Sequence, residues 1–424
     1  MTITNLAHEN EKKSTPRSRL VAGILLIIAG LAILLLFGLN IQHGLHSTLG
    51  LTPQGDKNVI PIPDMVLPTQ LAIYILALVT FFLGAWQLAR GIRSTNLLVG
   101  LVAFCFVAAF LIWAAKGNSM DLVGMMNTSL VRATPIALAA LCGVVSERAG
   151  VVNIAIEGIM LVSALASVMV ATLVHNLYAG LLAGILAGMF VAAIHAILVI
   201  TFRVDQIISG VAINIVGTGL TSFISNRYMQ VSADQLNNSG VFPNIPIPLL
   251  VKIPILGPVF FENNIMIYIM LLLVAITFVI LFYTRWGLRT RAVGEHPKAA
   301  DTLGINVYMV RYVNVILGGL IAGIGGAYFT IGSVGRFDKI MTAGKGFIGL
   351  AAMIFGNWNP VGALGSSLIF GFADSLQVKM QILNIPVPSE FLQMAPYIVT
   401  IIVLAGLVGR VHPPAADGSP YIKQ

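Results

Sequence analysis

Among the polar or charged residues inside long apolar stretches, those whose types and spacing could do chemistry are Arg132, Asn153, Glu157, His195, Asn214, Thr218 and Asp374. Each carries a desolvation cost there and needs either a partner or a function. The densest group is S-E-R-A-G-V-V-N-I-A-I-E-G at 146–158. Asn153 and Glu157 are four apart, a spacing that puts both on one face of a helix. An amide and a carboxylate so placed can hydrogen-bond a hydroxylated solute, which makes this face a candidate lining for a polar translocation pathway. The alternative is that Glu157 pairs with a basic residue of a neighbouring helix and fixes packing. Arg132 is a poor partner for it, because at 1.5 Å per residue Arg132 lies ~21 Å from the inner face and Glu157 only ~10 Å. The same depth reasoning sets Asp374 level with Arg132. An intramembrane ion pair Arg132–Asp374 is therefore expected, with gating of a solute as the other reading. Asn214 and Thr218, again four apart, form a second polar face; it is either helix-to-helix glue or part of a shared cavity. His195 stands alone in its stretch and is expected to be a satisfied packing residue.

The elements that position these residues follow from composition. Of 424 residues, 24 are Lys or Arg and 16 are Asp or Glu, so 9% are charged against 57% hydrophobic. A soluble domain carries roughly 25% charged residues. With a mean hydropathy of +0.92, too little polar surface remains to cover a soluble particle, so the chain is an integral membrane protein. Apolar runs of the ~20 residues needed to span a bilayer recur near 20–39, 69–89, 95–115, 125–145, 151–174, 178–201, 206–225, 264–284, 311–331 and 391–409. Two further stretches, 341–356 and 361–378, flank Gly356-Asn357-Trp358-Asn359-Pro360. The first of them is short enough to be a half-helix or re-entrant segment buried in protein.

The fold class expected is all-α and polytopic, with about 10–12 transmembrane or half-spanning helices. The first run, preceded by Lys12, Lys13, Arg17 and Arg19, is too long for a signal h-region and reads as an uncleaved anchor. With alternating spans and the N-terminus inside, 15 of the 24 basic residues fall on inner segments and eight on outer ones, with Arg132 in a span. That bias places both termini in the cytoplasm. The net charge of +8 then reports inner loops and not a nucleic-acid partner. The organisation expected is a cytoplasmic tail at 1–19, extra spans with an outer loop at 20–124, a core at 125–410 and a cytoplasmic tail at 411–424.

Gly180, Gly184 and Gly188, and separately Gly319 and Gly323, repeat every four residues, a pattern that lets helix backbones approach closely. Cys105 and Cys142 lie in apolar runs, so neither a disulfide framework nor a metal site is expected. The inner loop from Arg285 to Arg311 holds Gly294-Glu295-His296-Pro297-Lys298-Ala299-Ala300 and then Gly304. Pro297 suits the first turn of a short helix and Gly304 its stop. Such a helix is either a solvated basic loop or the element through which a membrane subunit receives force from a soluble motor. No phosphate-cradling G-x-x-x-x-G-K-[ST], H-E-x-x-H or serine-elbow pattern occurs, so no enzyme is expected.

The segments A-L-C-G-V-V-S-E-R-A-G-V-V-N-I-A-I-E-G-I-M-L (140–161), R-W-G-L-R-T-R-A-V-G-E-H-P-K-A-A-D-T-L-G-I (285–305) and G-K-G-F-I-G-L-A-A-M-I-F-G-N-W-N-P (344–360) together resemble permease subunits of ABC importers. The branch is that of the branched-chain amino acid and ribose permeases, nearest to those for nucleosides or simple sugars. The resemblance covers roughly 125–410. It implies a subunit of the bacterial inner membrane that pairs with a second, related permease as a heterodimer. It also implies a cytoplasmic ATPase that binds ATP on its behalf, so that this chain needs no cofactor, and an extracytoplasmic substrate-binding lipoprotein. On that resemblance the loop containing Gly294, Glu295, Pro297, Ala299, Ala300 and Gly304 is the coupling helix, and Asn153, Glu157 and Asn214 face the route of a neutral polar solute. The first ~95 residues exceed what the family core needs. An ion-coupled secondary transporter, with Glu157 or Asp374 binding a proton, is the main competing class, and a facilitative channel is a third.

Overall fold

The computed structural model describes residues 16–39, 41–42, 44–53, 59–91, 95–382, 394 and 412–423. Among these, nine helices are long and apolar enough to cross a membrane, and the protein is a multi-pass membrane protein of the all-α class, mostly helical with five short strands among the described residues. The run at 391–409 expected as a span lies outside the described residues. The chain divides into two compact units, Met1–Val123 with Met380–Pro386, and Gly124–Lys379 with Val387–Gln424.

In the first unit α1 (Pro16–Ala32) continues into a π-helical turn at Ile33–Gly38, and is followed by α2 (Thr69–Ala89) and α3 (Thr95–Ala114). The loop between the first two spans is partly ordered as strands. β1 (His46–Gly50) pairs antiparallel with β2 (Met65–Pro68) and parallel with β3 (Ser119–Asp121). Ser47, fully buried, joins this sheet to the helices through hydroxyl contacts of 2.7 Å with Thr69 Oγ1 and Ile112 O. Arg19 reaches from α1 to the carbonyls of Gln87 and Leu88 (3.1 and 3.2 Å). It thus satisfies acceptors that the last turn of α2 leaves open.

The second unit contains α4 (Leu122–Glu147), α5 (Ile156–Val174), α6 (Leu177–Ala196), α7 (Gln206–Ile224), the short α8 (Ala233–Leu236) and α9 (Leu256–Phe260), and α10 (Ile265–Tyr283). It continues through α11 (Arg285–Glu295), α12 (Pro297–Thr302), α13 (Val307–Phe329), α14 (Lys345–Phe355) and α15 (Pro360–Ile382). A two-stranded ribbon, β4 (Asn244–Pro246) with β5 (Glu262–Asn264), closes the 227–262 loop. The run at 341–356 is an 11-residue helix, α14, about half a membrane span at 1.5 Å per residue, joined to α15 by the expected break at 356–359.

The glycine repeats of α6 and α13 meet. A Cβ on Gly188 would lie 2.5 Å from Gly319 O and 2.7 Å from Gly323 Cα. No side chain fits between these backbones, and the close approach supplies the dispersion contact that holds apolar helices together in lipid. Helix α4 is buried along most of its length and carries Pro135 in its interior. Proline has no N–H for the carbonyl four residues back, and the freed Val131 O accepts the hydroxyl of Tyr328, from α13, at 2.9 Å. Tyr328→Phe removes that donor and leaves a buried carbonyl unpaired. A loss of about 1 kcal/mol is expected, read as a lower midpoint in thermal unfolding of the detergent-solubilised chain.

Candidate functional site

Between α4 and α5 the chain does not form helix. Residues 151–155, non-helical and mostly buried, lie between two spans, so their backbone groups require partners from the protein. Those partners come from α6 and α7. Gln206 Oε1 accepts Val152 N–H at 2.7 Å, and Asn214 Nδ2 donates to Ile154 O at 2.8 Å. Asn214 Oδ1 also accepts Gly158 N–H at 2.8 Å. His195 is buried, with its ring nitrogens 3.1 Å from Val152 O and 3.0 Å from Ser209 Oγ; it is a satisfied packing residue, as its isolation in the sequence indicates.

This geometry corrects one expectation. Asn153 precedes α5 and does not share a helical face with Glu157. Its amide lies 3.4 Å from Ser146 Oγ and 3.5 Å from Cys142 Sγ, and its Oδ1 is buried with no hydrogen-bond partner among the described residues. Asn214 and Thr218 do share a face of α7; Asn214 is buried and Thr218 half-exposed.

Glu157, in the first turn of α5, receives the turn that leads into α14. Its carboxylate accepts Thr342 Oγ1 at 2.5 Å, Gly344 N–H at 2.9 Å and Gly346 N–H at 2.7 Å. The first N–H groups of a helix have no internal acceptors and carry the positive end of its dipole. A buried carboxylate answers both needs, so Glu157 anchors the start of the half-helix.

The expected pair Arg132–Asp374 does not form. Asp374, on α15, is engaged by the ammonium of Lys345 at the start of α14, while Arg132 Nε is buried with no hydrogen-bond partner among the described residues. The bridge ties the half-helix to the span that follows it. Lys345 is the first residue of α14.

At the inner side the three sequence motifs converge. Trp358 Nε1 donates to Glu147 Oε2 at 2.6 Å, and Arg148 donates to the carbonyls of Trp358 and Asn357 at 2.9 and 3.2 Å. The end of α4 thereby clasps the break between α14 and α15. Gly294, near the end of α11, packs directly on the backbone of Arg148, where a Cβ would collide with the carbonyl. Helix α12 has the boundaries that the sequence indicates. His296 Nδ1 accepts Ala299 N–H at 3.3 Å as its N-cap, Pro297 occupies the first position, and Gly304 (φ +80°) follows its end. Ala300 is buried; Glu295, Lys298 and Ala299 are exposed, and Leu303 is 82% exposed.

Residues 412–423, expected as a tail, pack on this same surface. Asp417 sits beside Glu147 of α4 and Arg311 of α13. Burial pushes its carboxyl up to about 6, against the opposing pull of its hydrogen bonds with Glu147 and with Gly418 N–H and of the Arg311 charge. The docked state therefore favours the protonated form. Docking is strongest below pH ~4, the ordinary carboxylate range, and weakens as the pH rises through about 6. Amide exchange at 415–419, corrected for intrinsic rates, is expected to show more protection at pH 5 than at pH 7.5, and Asp417→Asn to abolish the difference.

A helical bundle interrupted at membrane depth by breaks whose backbone groups are satisfied within the protein, with a short exposed helix between two spans, is the architecture of a membrane permease. The chain belongs to the family of branched-chain amino acid transport system permease components, whose model matches residues 125–404. It is 43% identical over 320 residues to the guanosine ABC transporter permease protein NupQ of Bacillus subtilis, covering 72% of this chain and 99% of that one. It is likewise 43% identical to the nucleoside ABC transporter permease protein NupC of Lactococcus lactis subsp. cremoris, covering 72% and 98%. It is 36% identical to the putative glucose ABC transporter permease protein TsgC13 of Haloferax volcanii, covering 68% and 93%. The same Bacillus and Lactococcus each hold a second, more distant relative, NupP and NupB, both 25% identical to this chain. No solved structure matches the chain.

Proposed function

We propose that this chain is one of two unlike permease subunits of a bacterial ABC importer, and that the importer's cargo is nucleosides. The cargo reading rests on the two relatives at 43% identity, whose names specify guanosine and nucleosides; the glucose permease is less similar. The occurrence of NupQ with NupP, and of NupC with NupB, supports a heterodimer. A cytoplasmic ATPase and an extracytoplasmic binding lipoprotein complete the machine, and this subunit itself hydrolyses nothing.

The observation that carries the mechanism is α12, exposed on the inner face and joined through Gly294 to the end of α4. The ATPase receives the segment Gly294, Glu295, Pro297, Ala299, Ala300 and Gly304 as a coupling helix, with Leu303 as its apolar contact. ATP-driven closure of the ATPase displaces α12; α4 and the half-helix hairpin follow because Glu147 and Arg148 bind them together, and α5 follows because Glu157 holds the start of the same hairpin. The route runs along the inner parts of α5, α7 and α14. Thr218 is at its wall, and Asn153, Glu157 and Asn214 shape that wall by holding the irregular backbone behind it. The proton-coupled alternative needs a carboxylate free to load a proton, yet Glu157 accepts three hydrogen bonds and Asp374 is salt-bridged.

Uptake of labelled guanosine by cells expressing the complete importer, with competing solutes in excess, tests the cargo. Competition by other nucleosides and none by glucose is the expected pattern. Competition by glucose alone rejects it.

A further inference from the structure

A polar tail with no work to do stays in water, because ordering its backbone costs about 1 kcal/mol or more per residue. Residues 412–423 instead bury Pro414, Ala416 and Tyr421. Their contacts fall on the moving parts of the inner face. Ala416 N–H donates to Gly294 O at 2.8 Å and Ala415 N–H to Glu295 Oε2 at 3.2 Å, both at the last turn of α11, where helix carbonyls have no acceptor role within the helix. Arg311, 2% exposed on α13, donates through Nη1 to Ser419 O at 2.9 Å. The Tyr421 ring stands 5.4 Å from that of Tyr308 and packs in one cluster with Val293 of α11 and Ala300 of α12. At the near end His412 N–H donates to Asn357 Oδ1 at 3.0 Å, in the break between α14 and α15. Gly150, just beyond α4, leaves the space that Ala416 O occupies, since a Cβ there would lie 3.1 Å from it.

One stretch of about ten residues thus touches the coupling segment, the start of α13, the region after α4 and the half-helix hairpin. We propose that residues 412–421 are a positioning strap: they hold α11 and α12 against α4 and α13, so that displacement of α12 is delivered to the spans. The proposal rests on the coupling reading of α12. Its physical basis is mechanical. Helix α12 has six residues and buries only Ala300, too little to fix it alone. It lies between α11 and Gly304, whose φ of +80° marks the turn into α13. Without the strap, α11 and α12 can rotate about the Thr284 and Gly304 ends, and the push from the motor dissipates in that rotation.

The test uses the complete importer, with partner permease, ATPase and binding lipoprotein, in proteoliposomes, with guanosine as probe and guanosine taken up per ATP hydrolysed as readout. Four chains are compared: the full chain, a chain ending at Pro413, Ala416→Pro, which loses the N–H that meets Gly294, and Ala416→Gly, which keeps it. The first two variants are expected to lower uptake per ATP by about 5-fold or more, the low end of a site-to-site coupling energy, while ATP hydrolysis continues; Ala416→Gly is expected to match the full chain. An unchanged ratio in the shortened chain overturns the strap. If the shortened chain does not assemble, Ala416→Pro decides, and an unchanged ratio there overturns it equally. Gly294→Trp in the same assay separates the two ideas: if it uncouples while the strap variants do not, only the strap falls.

Discussion

Gly294→Trp is expected to reduce solute uptake by at least about 10-fold while the ATPase still hydrolyses ATP and the binding protein still docks outside. A Cβ at this position falls on the carbonyl of Arg148, a backbone atom that cannot turn aside. An indole can be accommodated only if α11 lifts away from the end of α4. That end is itself fixed, because Arg148 holds the carbonyls of Asn357 and Trp358 and Glu147 holds the Trp358 indole. The lifted helix also carries Gly294 O away from Ala416 N–H. On the proposed coupling role, this detaches α12 from the spans that the ATPase is to move through it. Bulky replacements of Glu295, which is exposed and accepts Ala415 N–H, are expected to act in the same direction less severely. Uptake and ATP turnover measured on one preparation separate this uncoupling from simple loss of protein.

Glu157→Ala is the second large effect. The substitution leaves one hydroxyl and two backbone N–H groups, from Thr342, Gly344 and Gly346, without their acceptor inside the protein. At 1–3 kcal/mol for each buried orphan, a loss of about 4 kcal/mol is expected. The start of α14 also loses the negative charge at its positive end. Release of the 342–346 turn, a large fall in thermal midpoint and loss of uptake should occur together. Glu157→Gln, which keeps acceptor oxygen but no charge, is expected to be intermediate in both stability and uptake. A carboxylate that carried a coupling proton would behave differently, since the amide would abolish transport with stability intact.

The long helices were legible because about 20 apolar residues leave little alternative in a bilayer. Helix α12 was legible because Pro297 and Gly304 act through their own backbones. The break before α15 was legible for the same reason, in Gly356 and Pro360. What the sequence did not disclose is set by contacts between distant residues. The late start of α5 depends on Gln206, His195 and Asn214 supplying hydrogen bonds to 151–155, and no local pattern in V-V-N-I-A announces them. Asp374 chose Lys345 over Arg132 because depth along a span does not fix which face a side chain takes, and because α14 begins at Lys345 and not at 341. The role of Glu157 as an anchor required knowing that residues 342–346 return beside it, 185 positions later. The terminal dozen residues have no period and little apolar character, so their place on the coupling surface follows from Gly294, Arg311 and Tyr308 and not from anything within them.

Solute movement through this chain is expected only when a separate ATPase drives α12. The direct measurement is guanosine uptake into proteoliposomes holding the complete importer, with ATP and the proton gradient varied independently. Uptake that requires ATP inside the ATPase compartment, persists when the gradient is collapsed, and vanishes when this chain is reconstituted alone is the predicted result. Uptake that follows the proton gradient and ignores ATP depletion, or flux through this chain by itself, would contradict it.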